Sequence, residues 1–145
     1  MTLSPGERLV IDASVAVKWV VAEPDCDRTE LLLDHRLVAP DLLFAECANV
    51  LWKKVRRGEL TQAEADIAAQ TLEAADLAVV PTRGYVAIAT SMAVELDHPA
   101  YDAVYLAVAE AANLRIVTAD DRLVRKLRQS RNRLWEVVVA LAEVG

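Results

Sequence analysis

Several acids in this chain stand where a carboxylate must be held by structure rather than simply bathed in water. Asp12 directly follows the apolar run Leu9-Val10-Ile11, and Asp120 follows the run Arg115 to Thr118. Glu46 lies inside Leu42-Leu43-Phe44-Ala45-Glu46-Cys47-Ala48, an apolar face where a lone charge is costly unless paired. No basic partner is near it in sequence except Lys53, two helical turns on. Asp102 precedes Ala103, Val104, Leu106 and Ala107, which read as buried. Four carboxylates brought to one crevice repel each other, and a hard divalent cation relieves them. Oxygen donors select Mg2+ or Mn2+, with waters completing the octahedron. A cation held this way makes a nucleophile of bound water and neutralises charge on a phosphoryl group, so phosphodiester hydrolysis is the natural chemistry. Taken singly, each acid also has a plainer role. Asp12 suits the cap of a helix from Ser14, Asp102 the favourable end of a helix dipole, and Asp120 a helix cap with Asp121 in the first turn.

The elements around these acids follow from the alternation of short β-branched runs with longer helical patterns. Leu9 to Ile11, Leu37 to Ala39, Leu77 to Val80, Arg115 to Thr118 and Val137 to Leu141 read as strands. Helices are expected over Ser14 to Glu23, Cys26 to His35, Asp41 to Arg57, Thr61 to Ala75, Gly84 to Glu95, Tyr101 to Ala112 and Asp121 to Gln129. Asp41 stands where an N-cap belongs, Gly58 where a C-terminal turn belongs, and Thr61 to Glu64 spells a capping box. His98-Pro99 separates two of the helices. Apolar strands separated by helices imply an α/β fold, a parallel sheet of about five strands with helices on both faces. In such a sheet the ligand crevice lies outside the carboxyl ends of the strands, which is where Asp12 and Asp120 stand.

At this level the motifs resemble those of PIN-domain ribonucleases, in particular VapC-type toxins of type II toxin–antitoxin systems. Val10-Ile11-Asp12-Ala13-Ser14 is similar to the first motif. Glu46-Cys47-Ala48-Asn49-Val50-Leu51 is similar to the second, with Asn49 one turn after the glutamate. Tyr101-Asp102-Ala103-Val104-Tyr105-Leu106-Ala107 resembles the third and is the most specific. Ile116-Val117-Thr118-Ala119-Asp120-Asp121-Arg122-Leu123 resembles the fourth. The motifs fall in order across nearly the whole chain. The resemblance implies a three-layer sandwich, a Mg2+- or Mn2+-dependent endoribonuclease acting on RNA, a homodimer and a cognate VapB-type antitoxin. By position it makes Asp12, Glu46, Asp102 and Asp120 the metal-binding acids, with Ser14 and Thr118 helping to hold the metal or its waters. Asp121 either shares the site or merely begins a helix.

The bulk properties bound these readings. The 145 residues suit a single domain over 1–145, with 54% apolar and 26% charged residues, a globular composition. No apolar run reaches the ~20 residues of a membrane span, and Met1 to Arg8 lacks a signal-peptide pattern, so a cytoplasmic protein is expected. Cys26 and Cys47 lack the spacing of a zinc site. The net charge of −6 argues against gripping nucleic acid by bulk electrostatics. The charge is segregated, however. Arg122, Arg125, Lys126, Arg128, Arg131 and Arg133 form a run without an acid, either a solvated face or a phosphate track in which Arg122 and Arg125 lie nearest Asp120. Tyr85, Tyr101 and Trp135 are candidates for base stacking. Two other classes compete. An aspartate-based phosphotransfer domain would need D-x-D, but Ser14 holds the third position, or a receiver's acidic pair and late lysine. A non-catalytic PIN-like protein-binding scaffold would have no need to hold four like charges together.

Overall fold

The computed structural model describes residues 2–130 and 133–145. Arg131 of the basic run therefore lies outside the described residues. Five strands, β1 (Arg8–Ile11), β2 (Arg36–Pro40), β3 (Ala78–Val80), β4 (Arg115–Thr118) and β5 (Val138–Ala140), form one sheet in the order β3-β2-β1-β4-β5. Every pairing is parallel. In β1, Leu9, Val10 and Ile11 are all fully buried. Neighbouring side chains of a strand point to opposite faces, so both faces of the central strand are covered. This is the expected α/β sandwich.

The helices are α1 (Ala13–Ala16), α2 (Cys26–Glu30), α3 (Leu42–Arg56), α4 (Gln62–Glu73), α5 (Val86–Leu96), α6 (Ala100–Ala112) and α7 (Asp121–Ser130). In α6 every residue from Ala103 to Ala109 is buried, the pattern of a helix enclosed on all sides. It packs on β1, β2 and β4. Its buried body fixes where its first turn, carrying Asp102, must lie. The Thr61 capping box forms as expected, with Glu64 N–H donating to Thr61 Oγ1 at 3.1 Å and Thr61 N–H to Glu64 Oε1 at 2.9 Å. Gly58 takes a left-handed φ of 75° at the end of α3.

Four expectations shift. The helix expected over Ser14 to Glu23 is only α1 followed by a 3-10 turn, Val17–Trp19. Its valines are poor helix formers, and Lys18 Nζ donates to the Pro24 carbonyl at 2.7 Å across the turn that follows. The next helix likewise stops at Glu30 rather than His35. Gly84 belongs to a 3-10 turn, Thr82–Tyr85, that precedes α5. Asp41 does begin α3 but does not cap it with its side chain. Its Oδ1 instead accepts from Thr82 N at 2.9 Å and Thr82 Oγ1 at 2.6 Å, tying α3 to the chain after β3. Leu42 N–H donates to Thr82 Oγ1 at 3.3 Å, so the cap comes from the chain that follows the neighbouring strand β3. Among the described residues no helix is long and apolar enough to cross a membrane.

The fully buried Leu106 on α6 tests this packing. Leu106→Ala should destabilise the protein by about 2–5 kcal/mol, with an unchanged slope in urea unfolding.

Candidate active site

The site grows from the ends of β1 and β4. One residue beyond β1 the backbone of Asp12 is still extended, and its side chain accepts from Val15 N–H at 3.3 Å as the cap of α1. The same carboxylate accepts a hydrogen bond from Ser14 Oγ at 2.5 Å and another from Thr118 Oγ1 at the end of β4. Ser14 Oγ in turn accepts from Ala119 N–H at 2.9 Å, and Thr118 Oγ1 from Asp120 N–H at 3.0 Å. Asp120 Oδ1 accepts from Arg122 N–H at 3.0 Å and Leu123 N–H at 3.3 Å, capping α7. The capping roles of Asp12 and Asp120 are thus real, and they aim the two carboxyl groups rather than exhausting them.

Asp12, Glu46, Asp102 and Asp120 all line one cleft of about 590 Å³, together with Ser14, Asn49, Lys53, Tyr101 and Tyr105. Thr118 lies beneath it, fully buried. Asp121 is exposed and does not line the cleft; it begins α7. Among the described residues no Lys or Arg forms an ion pair with any of the four acids. Burial pushes the Asp12 carboxyl up to about 7; the Ser14 and Thr118 hydroxyls oppose this, and the charge of Asp102 adds to it. Glu46 is also raised, chiefly by burial, against the hydroxyl of Tyr105 and with help from Asp102. That Asp102 raises both is the electrostatic sign of convergence.

Two residues of the site were not singled out from the sequence. Tyr105, buried within α6, donates its hydroxyl to Glu46 Oε1 at 2.5 Å. It is the partner that Glu46 lacks along its own helix. Burial and Glu46 raise the phenol's pKa, so it remains a donor. His98 places Nε2 2.5 Å from Asp102 Oδ2. One ligand atom each from His98, Asp102 and Asp120 lie within 4.8 Å of one another. The i, i+4 spacing of His98 and Asp102, and of Tyr101 and Tyr105 within the same helix, was visible; what it faced was not. Cys47, beside Glu46, is pushed up to about 12 by burial and remains a thiol.

The candidate RNA contacts divide. Tyr101 is 63% exposed on the cleft, whereas Tyr85 packs against the core and Trp135 does not line the cleft. Arg122 and Arg125 are exposed without an ion pair among the described residues, but they lie outside the cleft lining. Arg128 pairs with Glu143, and Arg133 with Glu110.

Comparison with known proteins bears on the family and the fold. Residues 9–128 match the family described as PIN domain. The chain is 34% identical over 115 residues to ribonuclease VapC9 of Mycobacterium tuberculosis, covering 79% of this chain and 87% of that protein. It is 32% identical over 123 residues to ribonuclease VapC3 of Pyrobaculum aerophilum, covering 82% and 94%. In fold it is similar to the crystal structure of PAE2754 from Pyrobaculum aerophilum, with a TM-score of 0.63 at 24% identity, covering 94% of this chain and 91% of that one.

The acid cluster has a measurable signature in chelator-treated protein. Asp12 rises from 3.8 to about 7 on folding, so between those values the folded chain holds a proton that the unfolded chain has released. Its contribution is complete below the lower value and is lost as pH rises through about 7. The melting temperature in EDTA should therefore fall from pH 5 to pH 8, and Asp12→Asn should flatten the profile. An equally steep fall in that variant would assign the dependence elsewhere.

Proposed function

The chain belongs to the PIN domain family, and from that membership we propose that it is a VapC-type endoribonuclease that hydrolyses RNA phosphodiesters at a divalent-metal site. One observation carries the reading: four carboxylates line a single cleft at the carboxyl ends of parallel strands, with no Lys or Arg ion pair to any of them among the described residues. A like-charge pair at roughly 5 Å in an effective dielectric of 20 costs about 3 kcal/mol before screening. Burial raises the pKa of Asp12, and the charge of Asp102 adds a smaller push in the same direction.

The donor set fits a hard cation. Asp12, Asp102, Asp120 and Glu46 would hold Mg2+ or Mn2+, and the ion would supply water activation and charge neutralisation at the phosphate. The protein's own groups do the rest. Ser14 and Thr118 orient Asp12, Tyr105 fixes Glu46, and the α7 cap fixes Asp120. Tyr101 and Lys53 rim the cleft, a stacking surface and a cation for the chain of the substrate. Asn49, an uncharged donor, also lines the cleft. Arg122 and Arg125 extend this track along α7, outside the cleft.

We also propose a homodimer and a cognate VapB-type antitoxin as partners. A groove of about 980 Å³ between the 3-10 turn after α1, α2 and α4 is lined by Trp19, Val20, Val21, Leu33 and Ile67. Leu33 and Ile67 are 64% and 66% exposed, an apolar face suited to an amphipathic helix.

Mg2+ or Mn2+ should support cleavage of RNA, and EDTA should abolish it. Asp102→Asn, which keeps shape and removes charge, should lower the rate by at least roughly 100-fold without unfolding the protein. Full activity in excess EDTA would overturn the metal mechanism. Replacing both Arg122 and Arg125 with Glu should weaken RNA binding and flatten its salt dependence. Unchanged affinity and slope would return α7 to a solvated face.

A further inference from the structure

We infer that His98 is a nitrogen ligand of the divalent-metal site, which gives this chain a mixed nitrogen–oxygen donor set that favours Mn2+ over Mg2+. The inference rests on the metal-site reading above and adds a donor that the four acids do not contain.

The backbone around His98 is fixed on three sides. Asp97 ends α5 in a left-handed conformation, φ 49°, and Pro99 stands as the N-cap of α6. His98 N–H donates to the Ala93 carbonyl at 3.1 Å, and Lys126 Nζ on α7 donates to the Asp97 carbonyl at 2.5 Å. The imidazole is thereby held at the corner between α5 and α6, with its side chain only 11% exposed. It lines a separate shallow hollow at that corner and reaches from there toward the carboxylates of the cleft.

The spacing suits shared coordination. Donors around an ion at about 2.2 Å lie roughly 3 Å apart when adjacent and about 4.4 Å apart when opposite. The ligand atoms of His98, Asp102 and Asp120 fall within 4.8 Å of one another, so small rotations bring all three onto one ion. At 2.5 Å, Nε2 and Asp102 Oδ2 share a hydrogen bond. An ion would replace it, taking the nitrogen lone pair and the carboxylate together. The donor chemistry then decides the preference. Mg2+ takes oxygen and holds its waters tightly, whereas imidazole adds affinity for first-row transition ions.

The alternative role for His98 is to orient Asp102 by that hydrogen bond, and the experiment must separate the two. The protein has two histidines. His35 stands before β2, at the opposite end of the strands from the acids, with its Nδ1 3.3 Å from the Glu7 carbonyl oxygen. Selective nitrogen-15 labelling of histidine therefore reports on His98 in the unmutated chain. Pulsed EPR of the Mn2+-loaded protein should show the hyperfine coupling of a directly bonded imidazole nitrogen, altered by that label. His98→Gln should remove the coupling and lower Mn2+ affinity by about tenfold or more, with a smaller loss for Mg2+. Bound Mn2+ without nitrogen coupling, or equal losses for the two ions, would leave His98 as an orienting residue and overturn the proposal alone. Failure of Mn2+ to bind the wild type would overturn the metal site with it.

Discussion

The arrangement depends on one buried carboxylate. Asp12 sits at the junction of the central strand and the first helix, and water scarcely reaches it. A charge in such a place is tolerated only when its oxygens are satisfied. Ser14 and Thr118 do this, one from the helix that follows and one from the neighbouring strand. Because Ser14 also accepts from Ala119 and Thr118 from Asp120, the carboxylate fastens β1, α1 and the turn after β4 into one unit. The position of Asp120 is set by the same bonds. Burial nevertheless outweighs the hydroxyls, which stabilise the anion without supplying a counter-charge. The fold holds an acid that it does not neutralise.

The other two acids are placed by different means. Asp102 rides on the first turn of α6, a helix buried on every side through Ala109, so packing sets its location, and the ring of His98 hydrogen-bonds its carboxylate. Glu46 projects from α3 toward the same helix and meets the hydroxyl of Tyr105. One buried helix thus supplies an acid to the cleft and the restraint on another. Glu46 and Asp102 are only partly buried, and the bonds to Tyr105 and His98 are what hold their carboxyl groups.

The sequence disclosed those parts whose causes are local. Leu9-Val10-Ile11 declares a doubly buried strand, Thr61 and Glu64 declare a helix start, and Gly58 declares a helix end. The four acids were legible because each follows or interrupts an apolar run. What stayed hidden was tertiary. Asp41 is well placed to cap its own helix, yet it bonds Thr82, 41 residues away. Tyr105 and Glu46 are separated by 59 residues and lie on different helices. His98 looked like part of a helix break because His98-Pro99 is a break; only the turn of the chain between α5 and α6 brings its ring against Asp102. The valine-rich stretch after Ser14 has a helical pattern of apolar residues, but its β-branched side chains and the Lys18–Pro24 bond favour a tighter turn.

Charge reconciles an acidic chain with a polyanionic substrate. The net charge is −6, and several cations are already committed: Arg115 to Glu7, Arg128 to Glu143 and Arg133 to Glu110. Exposed pairs such as the last two contribute ~0–1 kcal/mol to stability, but all three remove positive charge from the surface that RNA would meet. Near the cleft there remain Lys53 on the rim and, along α7, Arg122 and Arg125. These are too few to offset four carboxylates and an approaching phosphate. A divalent ion held in the cleft would cancel up to two of those negative charges where the phosphate must come closest, and the peripheral cations would act beyond it. An ion that relieved the acids would therefore also lower the repulsion that a phosphate meets at the cleft. Net acidity elsewhere disfavours indiscriminate binding to nucleic acid.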